Sequence, residues 1–181
     1  MRTRVVLFAV TALLLAETVQ AAPSEEFDRV FPSVYTDLIF DAKTAYQGKR
    51  YDQAFPLIHK AACAGDKESQ WMLGSMYLQG QGVERDDLQG YAWLKTAAEF
   101  HSSEYRSTVR KIEDALNEQE RQVAKAAATG VIAAYGLRAT RMSCSRAASQ
   151  GGHIMDLISC TPQIDGPAFL LKRCVDQPAA R

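Results

Sequence analysis

Apolar residues recur along this chain at spacings of three and four, interrupted by glycines and by residues able to cap helices. After Pro32-Ser33, the positions Val34, Tyr35, Leu38, Ile39, Ala42, Ala45 and Tyr46 mark one face of a first helix, which Gly48 stops. A second helix is expected over Tyr51–Ala64, ending at Gly65. Pro56 is costly beyond a first turn, which moves the expected start toward Phe55. Asp66 is a good N-cap for a third helix reaching about Leu78, and Gly80-Gln81-Gly82 breaks the pattern. Asp86, with Gln89 three residues on, forms a capping box for a fourth helix through Trp93 and Ala98. Ser102 or Ser103 caps a fifth, ending near Leu116. Asn117 with Glu120 is another capping box, opening a sixth that runs to Tyr135, where Gly136 fits a C-terminal stop.

Six helices with short connections imply antiparallel pairs and an all-α body. Sliding the chain by 36 residues superimposes Ala61-Ala62 on Ala97-Ala98, Phe55 on Tyr91, Leu57 on Trp93 and Ile58 on Leu94. The second and fourth helices therefore share a face with large residues at one end and a small pair at the other. The small pair lets a neighbouring helix approach, and the large residues fill the gap between hairpins. This is the packing of a short α/α solenoid, in which each hairpin buries its face against the next.

Residues 69–98 carry more than periodicity. Leu73, Gly74, Met76, Tyr77, Gly80, Gly82, Val83, Asp86, Gly90, Trp93, Ala97 and Ala98 fall in the order of the Sel-1-like repeat, a relative of the tetratricopeptide repeat, and the segment closely resembles it. The departure is Gly90, where that family usually has Ala; the missing methyl is expected to cost about 1 kcal/mol of helix stability. The same residues make physical sense alone. Gly74 removes a side chain where two helices cross, and Gly80 and Gly82 permit positive φ. Val83 can plug the loop onto the hairpin, and Asp86 satisfies free N–H groups. Residues 40–65 resemble an incomplete repeat and residues 102–135 the paired helices that follow one. The resemblance implies a helical repeat domain over 33–136, with its best repeat at 66–100. It also implies an adaptor that binds other proteins on a concave face and is not an enzyme. Tyr77, Tyr91 and Trp93 are the candidate aromatic anchors, although Trp93, and also Tyr77, reads first as packing.

The ends differ in character. Arg2 and Arg4 precede an apolar run from Val5 to Ala16, then Val19-Gln20-Ala21, the pattern of a secretory signal peptide cleaved after Ala21, or one residue later after Ala22. The run is short of the roughly 20 residues that span a bilayer, so no stable membrane insertion is expected after cleavage. A periplasmic or secreted location follows, and with it disulfide chemistry. The cysteines are Cys63, Cys144, Cys160 and Cys174, which allow three connectivities. In the tail, 137–181, the helical period disappears. Segments 141–146, 153–160 and 168–174, with turns at Gln150-Gly151-Gly152 and Asp165-Gly166, suggest a three-segment β meander. A first turn centred on Gly152 would set Cys144 opposite Cys160; a Cys160–Cys174 bridge is nearly as good. The tail reads as a disulfide-held cap, or alternatively as a binding surface.

Composition narrows the function. The chain is 47% hydrophobic and 23% charged, which excludes disorder, and its formal net charge of zero gives no long-range pull toward nucleic acid. The histidines are His59, His101 and His153; His59 and Cys63, four apart on one helix, are only half a metal site. Cys-x-x-Cys, Gly-x-Ser-x-Gly and Ser-x-x-Lys are absent, and Gly-Gln-Gly-Val at 80–83 lacks the Lys-Ser/Thr of a phosphate loop. Glu118 and Glu120 read as helix-start carboxylates. No catalytic residue, metal or cofactor is therefore expected, and the expected partner is another envelope protein or peptide. One alternative is a regulator of an envelope sensor or secretion assembly acting through the basic tail. A weaker one is a β-lactam-binding or other envelope hydrolase: some cysteine-rich relatives have a cysteine pair in each repeat, whereas here the repeats hold Cys63 alone.

Overall fold

The computed structural model describes residues 26–100, 102–147 and 157–175. The expected signal segment, His101, His153 and the Gln150-Gly151-Gly152 turn lie outside them. In chain order the elements are β1 (Phe27–Val30), α1 (Pro32–Gln47), α2 (Tyr51–Ala64), α3 (Lys67–Gln79), α4 (Asp87–Ala97), α5 (Ser103–Ala115), α6 (Glu118–Tyr135) and α7 (Leu137–Thr140). The strands β2 (Ser143–Ala147), β3 (Leu157–Thr161), β4 (Gln163–Asp165) and β5 (Ala168–Lys172) follow.

Side-chain caps hold three of the seven helix starts among the described residues. Asp66 Oδ1 accepts the Ser69 N–H at 2.7 Å, and Asp86 Oδ1 accepts that of Gln89 at 2.9 Å. Asn117 and Glu120 make the full reciprocal box. Ser102 occupies the N-cap of α5 without a side-chain cap bond. One expectation needs correction. Helix α2 starts at Tyr51 and not near Phe55, because Arg50 O accepts from Gln53 and Ala54 N–H, and Pro56 lies on the exposed face, where water reaches the carbonyl it leaves unpaired. Gly136 ends α6 as expected, with extended backbone (φ −68°, ψ 171°), and its N–H donates to Ile132 O.

Helices α1 and α2 pair, α3 and α4 pair, and α2 packs on α3. Helix α6 lies chiefly along α4 and also reaches α2, while α5 packs on α4. One core joins Phe55, Ile58, Leu73, Met76, Tyr77, Val83 and Trp93 between the first two hairpins; a second joins Tyr91, Leu94, Val109, Ala124 and Ala128. Gly82, at φ +68°, brings the α3–α4 loop against the Tyr51 carbonyl, which leaves no room for a side chain. Gly90 also has a packing reason that its helix propensity hides: a methyl there would lie 2.7 Å from Leu78 Cγ.

The strands depart from the single meander. Three form one antiparallel sheet in the order β1-β5-β4, and β2 pairs with β3 in another. Strand β1, whose four residues are too short for a period to declare itself, pairs Phe27 with Lys172 and Val30 with Phe169. The β4–β5 hairpin turns at Gly166, with φ +62°. Cys144 and Cys160 are directly opposed in β2–β3 and form a disulfide; Cys63 and Cys174 form the other, with Cα atoms 5.3 Å apart. Cys160–Cys174 is thereby replaced.

Candidate binding face

A cavity of about 730 Å³ opens between α2, α4 and α6, beside the loop from Val83 to Asp86. The 3.6-residue period puts His59 on the α2 face turned toward α4, and Trp93 on the α4 face turned toward α6. Trp93 and Tyr135 stack with centroids 5.3 Å apart, and His59 meets Trp93 edge-on at 6.3 Å. Tyr77 enters from α3, its ring edge-on to Phe55 at 5.7 Å. Gly130, Val131 and Ala134 of α6 form the opposite wall, and Gln89, Glu84 and Arg85 the polar rim. A methyl on Gly130 would meet nothing within 4 Å, so this wall is open.

Burial sets the electrostatics. His59 is 5% exposed, and desolvation pushes its imidazole down to about 4, so it is neutral near pH 7. Desolvation and then the Asp86 charge push the Tyr77 hydroxyl up to about 12. On the rim, Arg85 Nε donates to Asp87 at 2.8 Å. The residue after the Cys174 bridge closes one end of the cavity: Val175 N–H donates to Tyr135 Oη at 2.9 Å.

Of the expected anchors, the structure brings Tyr77 and Trp93 together and places Tyr91 elsewhere. Both of the first two are mostly buried, at 6% and 3% exposure, so they form the floor more than the contact surface. The Tyr91 hydroxyl donates to Glu113 at 2.7 Å, beside a second groove of about 540 Å³ edged by Leu88 and Val123. Leu73, Gly74, Met76, Gly80, Gly82, Val83, Asp86, Ala97 and Ala98 serve packing, turns and capping.

A polar cluster behind the face eluded the sequence reading. Lys67 is fully buried, and its Nζ donates to Gln70 Oε1, Thr96 O and Glu99 Oε2, each at 2.9 Å. Glu99 Oε2 also accepts the Leu137 N–H at 3.0 Å, and Gln70 Nε2 donates to Ala62 O and Tyr135 O. The cluster joins the ends of α2, α4 and α6 to the start of α3. One signal was available: a lysine in the first turn opposes the helix dipole.

For catalysis or metal binding, the described residues hold one grouping of interest. His59, Cys63 and Cys174 have ligand atoms all within 4.8 Å of one another, with the two sulfurs joined as a disulfide. No helix among the described residues is long and apolar enough to cross a membrane.

Comparison with known proteins agrees with this architecture. Residues 67–99 match the Sel1 repeat. Among solved structures, the chain resembles c5321, described as a protective antigen present in uropathogenic Escherichia coli strains displaying an SLR fold. The TM-score is 0.50 and the identity 27%, over 66% of this chain and 27% of that one. The chain thus spans little more than a quarter of that antigen's length. No curated protein matches it.

Proposed function

The chain is a Sel1-like repeat protein, and from that premise we propose that it is a non-catalytic, exported scaffold. It takes a segment of another envelope protein into the groove between α2, α4 and α6. The Sel1 fold suggests protein–protein interaction, and the observation that carries the proposal is the groove itself. Its floor of Tyr77, Trp93 and Tyr135 and its rim of Gln89, Glu84 and Arg85 combine the apolar centre and polar edge of a recognition surface. In this reading residues 1–21 are the export signal, the repeat domain covers 33–136, and 137–181 is a cap that the disulfides secure. Two disulfides and the apolar leader accord with an oxidising compartment. The tail-based alternative has less support: Lys172 pairs with Glu26, Arg173 with Asp28, and Arg141 lies over the Phe27 ring, so these cations are engaged internally.

The test is a crosslinking pull-down of tagged mature protein from intact periplasm, comparing wild type with Gly130→Trp. The substitution fills the open wall without displacing anything at Cβ. A partner captured by wild type and lost with Gly130→Trp, at unchanged thermal stability, is the expected result. A partner kept by Gly130→Trp but lost when the positions of Lys172 and Arg173 are neutralised would move the function to the tail.

A further inference from the structure

We propose that His59, Cys63 and Cys174 form a redox-gated site for a thiophilic d¹⁰ cation, closed as a disulfide and opened to metal by reduction. Three features of placement converge. The four-residue spacing puts His59 and Cys63 on one buried face of α2. Cys174 arrives from the end of β5, and its position does not depend on the sulfur bridge alone. On one side of it the Arg173 N–H donates to Glu26 O at 3.0 Å; on the other the Val175 N–H donates to Tyr135 Oη at 2.9 Å. His59 then turns Nδ1 toward both sulfurs, 3.3 Å from Cys174 Sγ and 3.9 Å from Cys63 Sγ.

These distances suit coordination. Metal–sulfur bonds of about 2.3 Å and metal–imidazole bonds of about 2.0 Å in tetrahedral geometry set a nitrogen–sulfur edge of about 3.5 Å and a sulfur–sulfur edge of about 3.8 Å. The nitrogen already stands near that edge from each sulfur. Once the bridge opens, the two sulfurs need only separate by about 2 Å, with the backbone in place. Two thiolates and a neutral imidazole, with no carboxylate in the group, select Zn²⁺ or Cu⁺ over Mg²⁺ or Ca²⁺. Cys174 also borders a cavity of about 350 Å³, which supplies an entry path.

The chemistry balances. A dithiol reductant gives two electrons and two protons to the Cys63–Cys174 bond, yielding two thiols, and is itself oxidised to a disulfide. Zn²⁺ then displaces one proton from each thiol, so two protons leave per ion bound. Cys174 stays tethered to α2 in both states, by a covalent bond in one and by the ion in the other.

The experiment titrates Zn²⁺, in competition with a chromophoric chelator, into dithiol-reduced and oxidised protein in a Cys144→Ser/Cys160→Ser background. Should that background not fold, reduced wild type is compared with Cys63→Ser/Cys174→Ser. The expected result is one Zn²⁺ per reduced chain, none in the oxidised chain, and two protons released. Binding should disappear in Cys63→Ser/Cys174→Ser. Loss of an outer-shell partner costs roughly 10- to 100-fold in affinity, so removal of a ligand in His59→Ala should cost about 100-fold or more. Thermal melting of oxidised His59→Ala checks that it folds. Absence of Zn²⁺ binding by the reduced protein would overturn the proposal. Unchanged affinity in His59→Ala, or binding that survives without Cys63 and Cys174, would do the same.

Discussion

Gly74 of α3 and Gly90 of α4 face each other backbone to backbone. A methyl on Gly74 would lie 2.8 Å from the Gly90 carbonyl oxygen, and one on Gly90 would lie 3.0 Å from the Gly74 carbonyl oxygen. The two helices cross where neither has a side chain, and Leu94 and Leu78 close over the crossing from either side. Gly74→Ala should therefore cost about 1 to 3 kcal/mol by overpacking. Gly90→Ala should not deliver the gain of about 1 kcal/mol that helix propensity alone promises. Urea unfolding of both variants checks this: the midpoint should fall for Gly74→Ala and fail to rise for Gly90→Ala.

Lys67 is the one cation at the centre of the polar cluster described above, and Glu99, at 27% side-chain exposure, is its charged partner. Burial lowers the Lys67 ammonium from its ordinary range, while Glu99 acts in the opposite direction. Lys67→Met leaves the Thr96 carbonyl without its donor and Glu99 with the Leu137 N–H alone, and should destabilise by about 2 to 3 kcal/mol, below a fully buried pair because water reaches Glu99. The double variant Lys67→Met/Glu99→Gln should lose less than the sum of the singles, with a coupling of about 1 kcal/mol in a double-mutant cycle.

His59 gives the oxidised protein an acid-sensitive step. Its imidazole titrates near 6.5 when unfolded and is held at about 4 when folded, through desolvation. Between these values the unfolded chain binds the extra proton. The contribution to stability is therefore complete above pH 6.5, declines as pH falls through the window, and levels off below pH 4. The integrated effect is about 3 kcal/mol. Unfolding free energies measured across that window should slope for wild type and flatten for His59→Gln.

Much of the helical body was legible because its signals are local. The caps Asp66, Asp86 and Asn117 sit within three residues of the N–H groups they bind, and the apolar period needs only one helix to show itself. What escaped depends on distance along the chain. Strand β1 has four residues, and its partner lies some 140 positions away, so neither end announces the other. Cys63 and Cys174 are 111 residues apart and could not be joined until that register was known. Nothing near Lys67 in sequence reveals that Thr96 and Glu99 enclose it. Of the candidate face, Tyr77 and Trp93 were visible through the repeat pattern, whereas Tyr135 and Gly130 belong to a helix outside it.

The pairing of β1 with β5 has a further consequence. In a linear array of repeats each unit touches only its neighbours, and the two ends loosen independently. Here the last strand runs beside the first one and against α1 and α2. The first and last of the described strands are held together there by a clasp of backbone hydrogen bonds. Neither strand can part from the α1–α2 hairpin without breaking the same four residue pairs, so the loosening of the two strands becomes a single event.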